Sequence, residues 1–245
     1  MNHTQAVTTA INETRATFLA VLSDPSLNFD REAEFAAQIL TGNDYLLKIA
    51  AQNKQSVVDA VTNVAAIGIS LNPAKKQAYL VPRKGRVCLD IGYMGLLGLA
   101  MATGSIRWGQ ARLVCEKDHF ELRGIDREPE HRNQPFGDRG DVVGVYCVVK
   151  TADGDYLTEA MSIADVNAIR DRSEAWKAWL SKQTKCPWIT DPGEMAKKTV
   201  VKRAYKFWPR NDRLDRAIHH LNTDGGEGLI DASSPADNFG ASDLV

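Results

Sequence analysis

Apolar residues recur at spacings of three, four and seven from Thr4 to Leu40, at Val7, Ile11, Phe18, Leu19 and Leu22 and then at Phe35 and Ile39. That period predicts amphipathic helix, and Ser23-Asp-Pro-Ser26 divides it into two. Lys54 to Ile67 predicts a further helix whose apolar face is Val57, Val58, Val61, Val64, Ala65 and Ile67, with Gly68 as its stop. The texture then changes. Gln77 to Val81 and Arg86 to Ile91 read as short strands around Pro82-Arg-Lys-Gly85, a basic hairpin tip. Gly92 to Ala102 returns to helix, and strands are expected at Ile106 to Glu116, His119 to Arg123, Val142 to Lys150 and Tyr156 to Met161. Asp153-Gly154 joins the last two as a turn. Gly124 to Asp141 reads as a long loop, and everything after Ser162 as helix.

This order describes an α+β fold: a helical N-terminal region, a small antiparallel-rich sheet with packed helices, and a basic C-terminal helix. Residues 222–245, mostly Gly, Ser, Asp and Asn, are expected to form a disordered acidic tail. The expected division is 1–53, a helical region whose surplus apolar faces suit oligomer contacts, then a core over 54–221, then the tail.

Composition narrows the class. Of 245 residues, 44% are hydrophobic and 25% charged, which excludes global disorder and fibrous repeats. The longest uncharged run, Ile91 to Ile106, is sixteen residues, short of the about 20 that span a bilayer. No signal peptide is expected at the N-terminus, so the protein is placed in the cytoplasm. Cys88, Cys115, Cys147 and Cys186 lack the spacing of a disulfide framework or zinc site and are read as reduced thiols.

The net charge of −1 conceals sorting along the chain. Residues 72–125 carry nine basic and four acidic side chains, and residues 166–220 carry thirteen and six. Between them, residues 126–165 carry four and nine, and the last 25 residues carry five carboxylates and no base. Two basic segments converging in the fold would suit a polyanion such as nucleic acid; internal pairing between blocks is the alternative.

Cys186 to Pro209 is the most informative stretch. Asp191 fits an N-cap, Pro192 the first helical position and Glu194 the third, the pattern of a capping box, and Pro209 marks the end. At 100° per residue Ala196, Val200, Ala204 and Phe207 share one face, while Lys198, Lys202 and Lys206 line another, broadened by Arg203. Like charges at i, i+4 repel, so the stripe makes most sense beside an anion. Lys197 lies at the boundary of the apolar face.

Other chemistries find less support. Lys198-Thr199 lacks the glycines of a P-loop, because Pro192 and Lys197 stand where they are needed. Gly92, Gly95 and Gly98 have three-residue spacing, unlike a dinucleotide fingerprint, and fit close helix packing. Asp126, Glu128, Glu130, Asp138 and Asp141 leave open a metal-dependent nuclease, although no Glu-x-Lys spacing follows them. His219-His220 has no recognisable catalytic partner.

Three blocks carry a resemblance. They are Gly68-Ile-Ser-Leu-Asn-Pro-Ala-Lys-Lys-Gln-Ala-Tyr-Leu-Val-Pro82, Leu89-Asp-Ile-Gly-Tyr-Met-Gly-Leu-Leu-Gly-Leu-Ala100, and Pro187-Trp188 with Glu194-Met-Ala-Lys-Lys-Thr-Val-Val-Lys-Arg203 and Pro209. In these the chain resembles the RecT family of phage single-strand annealing recombinases, and more distantly the Redβ group, over residues about 50 to 220. Met94 departs from the basic residue expected after Gly-Tyr. The resemblance implies an ATP-independent protein, not an enzyme, that binds single-stranded DNA, anneals complementary strands and holds the annealed duplex. It further implies assembly into a ring or helical filament, and a phage exonuclease and host single-stranded-DNA-binding protein as partners in the bacterial cytoplasm. No cofactor is required; Mg²⁺ has a place only as an ion that screens phosphates. Carried onto this sequence, the phosphate contacts are Lys197, Lys198, Lys202 and Arg203, then Asn72, Lys75 and Lys76, with Arg83, Lys84, Arg86 and Lys206 as further cations. Tyr93 and Trp188 are candidates for base stacking, with core packing as the alternative. A sequence-specific regulator and a purely structural assembly protein are the remaining classes.

Overall fold

Asparagines punctuate the helical first third. The computed structural model describes residues 3–183 and 185–223, and opens with α1 (His3–Glu13), α2 (Arg15–Ala20), α3 (Phe29–Thr41), α4 (Asp44–Gln52) and α5 (Lys54–Ile67). Asn28, Asn43 and Asn53 precede α3, α4 and α5, and their side chains accept the backbone N–H of Arg31, Leu46 and Ser56 at 3.2, 3.0 and 3.2 Å. These caps satisfy N–H groups that a helix start leaves without a partner. The expected break after Leu22 is present, but α4 is an addition, buried through Leu46, Ile49 and Ala50. Gly68 ends α5 in the left-handed region at φ 78°, as its position predicts.

The hairpin forms as expected. β1 (Ala78–Arg83) and β2 (Arg86–Ile91) pair antiparallel with Arg83 opposite Arg86. The two-residue turn Lys84-Gly85 has φ 47° and 73°, the type I′ geometry that matches strand twist. Next comes α6 (Tyr93–Ala102). Side chains at Gly92, Gly95 and Gly98 would all meet Lys76 or Gln77, and at Gly95 a methyl group would run into the Gln77 carbonyl oxygen. The three-residue glycine spacing is therefore a packing face.

The main sheet has the order β3-β6-β7, all antiparallel, from β3 (Ile106–Cys115), β6 (Val142–Thr151) and β7 (Tyr156–Ser162). The segment expected to be a loop contains β5 (Glu130–Arg132), which pairs with β4 (His119–Glu121) into a small ribbon. After Ser162, which caps α7 (Ile163–Arg172) in a capping box with Asp165, come α8 (Glu174–Lys182), α9 (Pro187–Thr190), α10 (Pro192–Ala204) and α11 (Asp212–Thr223). Asn222 and Thr223 belong to α11; the rest of the expected tail, 224–245, lies outside the described residues.

Ala196, Val200 and Ala204 of α10 are buried where the helix packs against the sheet. One hydrophobic cluster runs from Val7 and Ile11 of α1 through α3–α6, the sheet and α10 to Leu214 and Ala217 of α11. The helical N-terminal region shares this core. Buried Glu32 of α3 accepts the Ser70 hydroxyl at 2.6 Å and the Leu71 N–H at 2.7 Å, fastening α3 to the loop before the hairpin. At the other end Arg213 of α11 donates to the Ile67 and Gly68 carbonyls and to Asp24. A second, smaller cluster of Val114, Tyr146 and Val148, with Trp108, Phe120 and Tyr156, packs between sheet and ribbon. The four cysteines form no disulfide among the described residues, and burial raises the Cys147 thiol to about 12. No helix among the described residues is long and apolar enough to cross a membrane.

Gly95→Ala should lose about 1–3 kcal/mol, the usual cost of overpacking, read as a lower urea midpoint with unchanged slope.

Candidate nucleic-acid interface

A mid-strand carboxylate organises the site. Asp90 of β2, opposite Tyr79, is 8% exposed, and an isolated charge there would be costly. Three cations surround it. Arg83 Nη2 lies 3.1 Å from Asp90 Oδ1 and Lys198 Nζ 3.6 Å from Oδ2. Burial pushes the Asp90 carboxyl up, and Lys198, Lys202 and Arg83 together outweigh it and hold the group below the ordinary carboxylate value. The seam between the hairpin and α10 thus gathers three positive charges around one negative.

A second pair lies alongside. Glu194 Oε2 accepts the Tyr93 hydroxyl at 2.7 Å, and Oε1 accepts Lys197 Nζ at 2.8 Å. Lys197 first, then Tyr93, lowers the Glu194 pKa, while desolvation and then Glu194 raise that of Tyr93, which stays neutral. Glu194 therefore ties the start of α10 to the start of α6. The expected capping box is absent: the Asp191 side chain makes no cap bond, takes the Thr190 hydroxyl at 2.6 Å instead, and Glu194 faces Tyr93.

Several expectations about α10 need correction. The lysine stripe does not face solvent, because α10 is covered on two sides, by the sheet and by α6 with β2. Lys198 keeps 20% side-chain exposure and Lys202 is buried at 6%; only Lys206 of the stripe is exposed. Arg203 is half exposed and bonds Glu159 of β7 at 2.7 Å. Phe207 is 68% exposed rather than part of the apolar face. From Tyr205 to Phe207 the chain tightens to 3₁₀ helix, where three residues make a turn, so Tyr205 and Trp208 point inward instead.

The other named residues divide. Lys75, Lys76 and Lys84 are exposed with no ion pair among the described residues. Arg86 is exposed and pairs with Asp59 at 3.1 Å. Asn72 spends its Oδ1 on the Ala74 N–H at 2.9 Å, shaping the loop that presents Lys75 and Lys76. Trp188 is buried at 7% and offers no face to a base, and its indole nitrogen has no hydrogen-bond partner among the described residues. Tyr93 is half-buried against the core with its hydroxyl committed to Glu194. Sequence reasoning missed Asp90; a carboxylate inside the run Val87-Cys-Leu-Asp-Ile91 was its signal.

The acidic segment does not assemble a metal centre. Glu130 pairs with Arg123 and Arg132, Asp138 with Lys117, and no group of three possible metal ligands occurs among the described residues.

Asp90→Asn should cost about 3 kcal/mol or more, because cations lose their buried partner. The lowered pKa means this contribution is complete above pH about 4, the unfolded carboxylate value, and is lost as pH falls through the lower folded value. Urea midpoints from pH 7 down to pH 3 should therefore converge between wild type and Asp90→Asn.

A family model described as the RecT family matches residues 30–227, starting earlier than the three sequence blocks and taking in α3 and α4. Protein RecT of Escherichia coli (strain K12) is 33% identical over 172 residues, covering 66% of this chain and 61% of that protein. The match thus spans less than two thirds of the relative's length. With the family model covering most of the chain, including the hairpin, α6 and α10 that build the seam, the chain belongs to the RecT family.

Proposed function

We propose that this chain binds single-stranded DNA and anneals complementary strands in phage homologous recombination, without ATP and without making or breaking a covalent bond. The observation that carries the reading is the cation cluster of the seam, where Arg83, Lys198 and Lys202 gather around the carboxylate of Asp90. Strand phosphates add the negative charge that this cluster attracts, and the counterions they release drive association. Lys75, Lys76 and Lys84, exposed on the loop and hairpin beside it, and Lys206 beyond α10 widen the positive surface. Such contacts to the backbone leave base edges free. Annealing then needs only that two strands be held together, with base pairing as the source of energy.

The wider assignment rests on family membership. It comprises a ring or filament of identical subunits, a cooperating phage exonuclease, the host single-stranded-DNA-binding protein, and action in the bacterial cytoplasm; the contacts proposed through residues 1–53 rest instead on the apolar faces of that helical region. Mg²⁺ serves only to screen phosphates. Among the described residues no arrangement favours the nuclease alternative.

Two complementary oligonucleotides, one labelled with a donor and one with an acceptor dye, should pair faster with the protein than without it, in EDTA and with no ATP. Pairing at the spontaneous rate would refute the function. Lys75→Glu with Lys76→Glu should fold normally, because both side chains are exposed, and should weaken single-strand binding. The salt slope should fall by about 0.7 for each phosphate that the variant no longer neutralises. Fluorescence anisotropy across a salt series reads both.

A further inference from the structure

Where α10 meets the open edge of the sheet there is a cavity of about 390 Å³, lined among others by Gln110 and Arg112 of β3, His131 and Asn133 of the ribbon, Arg139, and Lys197. Every fully charged side chain lining it is basic. Beneath it lies a built support. Asp118, 1% exposed, receives Arg139 through Nε at 2.9 Å and through Nη2, the Cys115 N–H at 2.8 Å, and His131 Nε2 at 3.1 Å. These bonds, led by that of Arg139, hold Asp118 ionised far below the usual carboxylate range. His131 is itself 5% exposed, and its other nitrogen lies 3.1 Å from the Tyr146 hydroxyl. Arg139 also donates to the Leu113 carbonyl on the edge strand at 3.2 Å.

The support fixes Arg139 with one face on Asp118, while its Nη1 makes no hydrogen bond among the described residues. Arg112 stands at the mouth, exposed, its Nε on Gln110 Oε1 at 3.1 Å and no carboxylate paired with it among the described residues. Two guanidinium groups, an ammonium and the amides of Gln110 and Asn133 around one concavity match a tetrahedral oxyanion, which guanidinium forks bind with directional bonds. Lys197 belongs to both places, since it lines this cavity and bonds Glu194 in the seam.

We propose that this cavity holds a backbone phosphate of the bound single strand, so that the strand's path continues from the hairpin seam past Lys197 to the edge of β3. Arg112 and Asn133 contact the phosphate directly, and Asp118 is a positioning residue acting through Arg139. The assignment rests on the single-strand reading above. The same chemistry would take free inorganic phosphate, and the test separates the two sources.

The full chain and its Arg112→Gln and Arg112→Lys variants are compared for binding of labelled oligothymidylate by anisotropy across a salt series. Arg112→Gln should bind roughly tenfold more weakly, the scale of one charged hydrogen bond, with a salt slope lower by about 0.7. Arg112→Lys should keep the slope, and both variants should unfold at the wild-type urea midpoint. A wild type that binds and an Arg112→Gln variant of equal affinity and slope overturn the proposal. A wild type that binds no oligothymidylate overturns the single-strand reading instead. In a second arm, thermal midpoints are taken in phosphate and in chloride at matched ionic strength. Equal midpoints support the strand as the source. A phosphate-specific rise in the wild type that Arg112→Gln abolishes, with oligothymidylate affinity and slope unchanged by that variant, makes free phosphate the occupant and overturns the strand assignment.

Discussion

One buried carboxylate holds the hairpin to the helix that follows it a hundred residues later. Asp90 meets Arg83 from its own hairpin and Lys198 from α10, and Lys202 stabilises its charge from the next turn of that helix. Without it three cations would crowd between two packed elements, and like charges in a low-dielectric seam repel far more strongly than on a surface. With it the cluster is held together. The hairpin and α10 are thus held together by this charge cluster, and α6 joins them through the Tyr93–Glu194 hydrogen bond.

That arrangement divides the basic residues into two populations. Arg83, Lys198 and Lys202 are largely withdrawn from solvent, where salt screens them weakly, while Lys75, Lys76, Lys84 and Lys206 stand in water and are screened over a Debye length of about 8 Å. On the proposed function, the exposed lysines at the end of the loop and turn would attract a strand from a distance. Net charge conceals both, because compensating carboxylates lie elsewhere in the chain, two of them, Glu130 and Asp118, already paired with arginines around the ribbon.

How far the sequence revealed this depends on whether a residue's neighbours are local. Hairpin, turn and helix ends were legible because Lys84-Gly85, Gly68 and the glycines of α6 act through their own backbone. The α4 helix was missed although Asn43 was a cap signal, since its short apolar pattern merges with those on either side. The lysine stripe was found and its environment misjudged, because helical periodicity assumes one covered face and α10 has two. Trp188 and the second half of Glu194's role were similarly decided by distant elements, as was the joining of Asp118 to Arg139 and His131 across the ribbon. Pattern locates a charged group; only the fold decides what it meets.

The same division explains why no catalytic machinery is needed on this reading. The two aromatics that were candidates for base stacking are committed elsewhere, Trp188 to the core and Tyr93 to Glu194, so neither offers a free ring face to a base. A site that stacked or hydrogen-bonded bases strongly would compete with the pairing it is meant to assist. Under the proposed function a positively charged track that ignores sequence would instead offer each base edge to the incoming strand, with an affinity that falls with salt because counterion release drives it. Lys197 fits this logic: pinned on one side by Glu194 and open to the β3 cavity on the other, it lets the charged track turn a corner without an exposed, flexible side chain to hold in place.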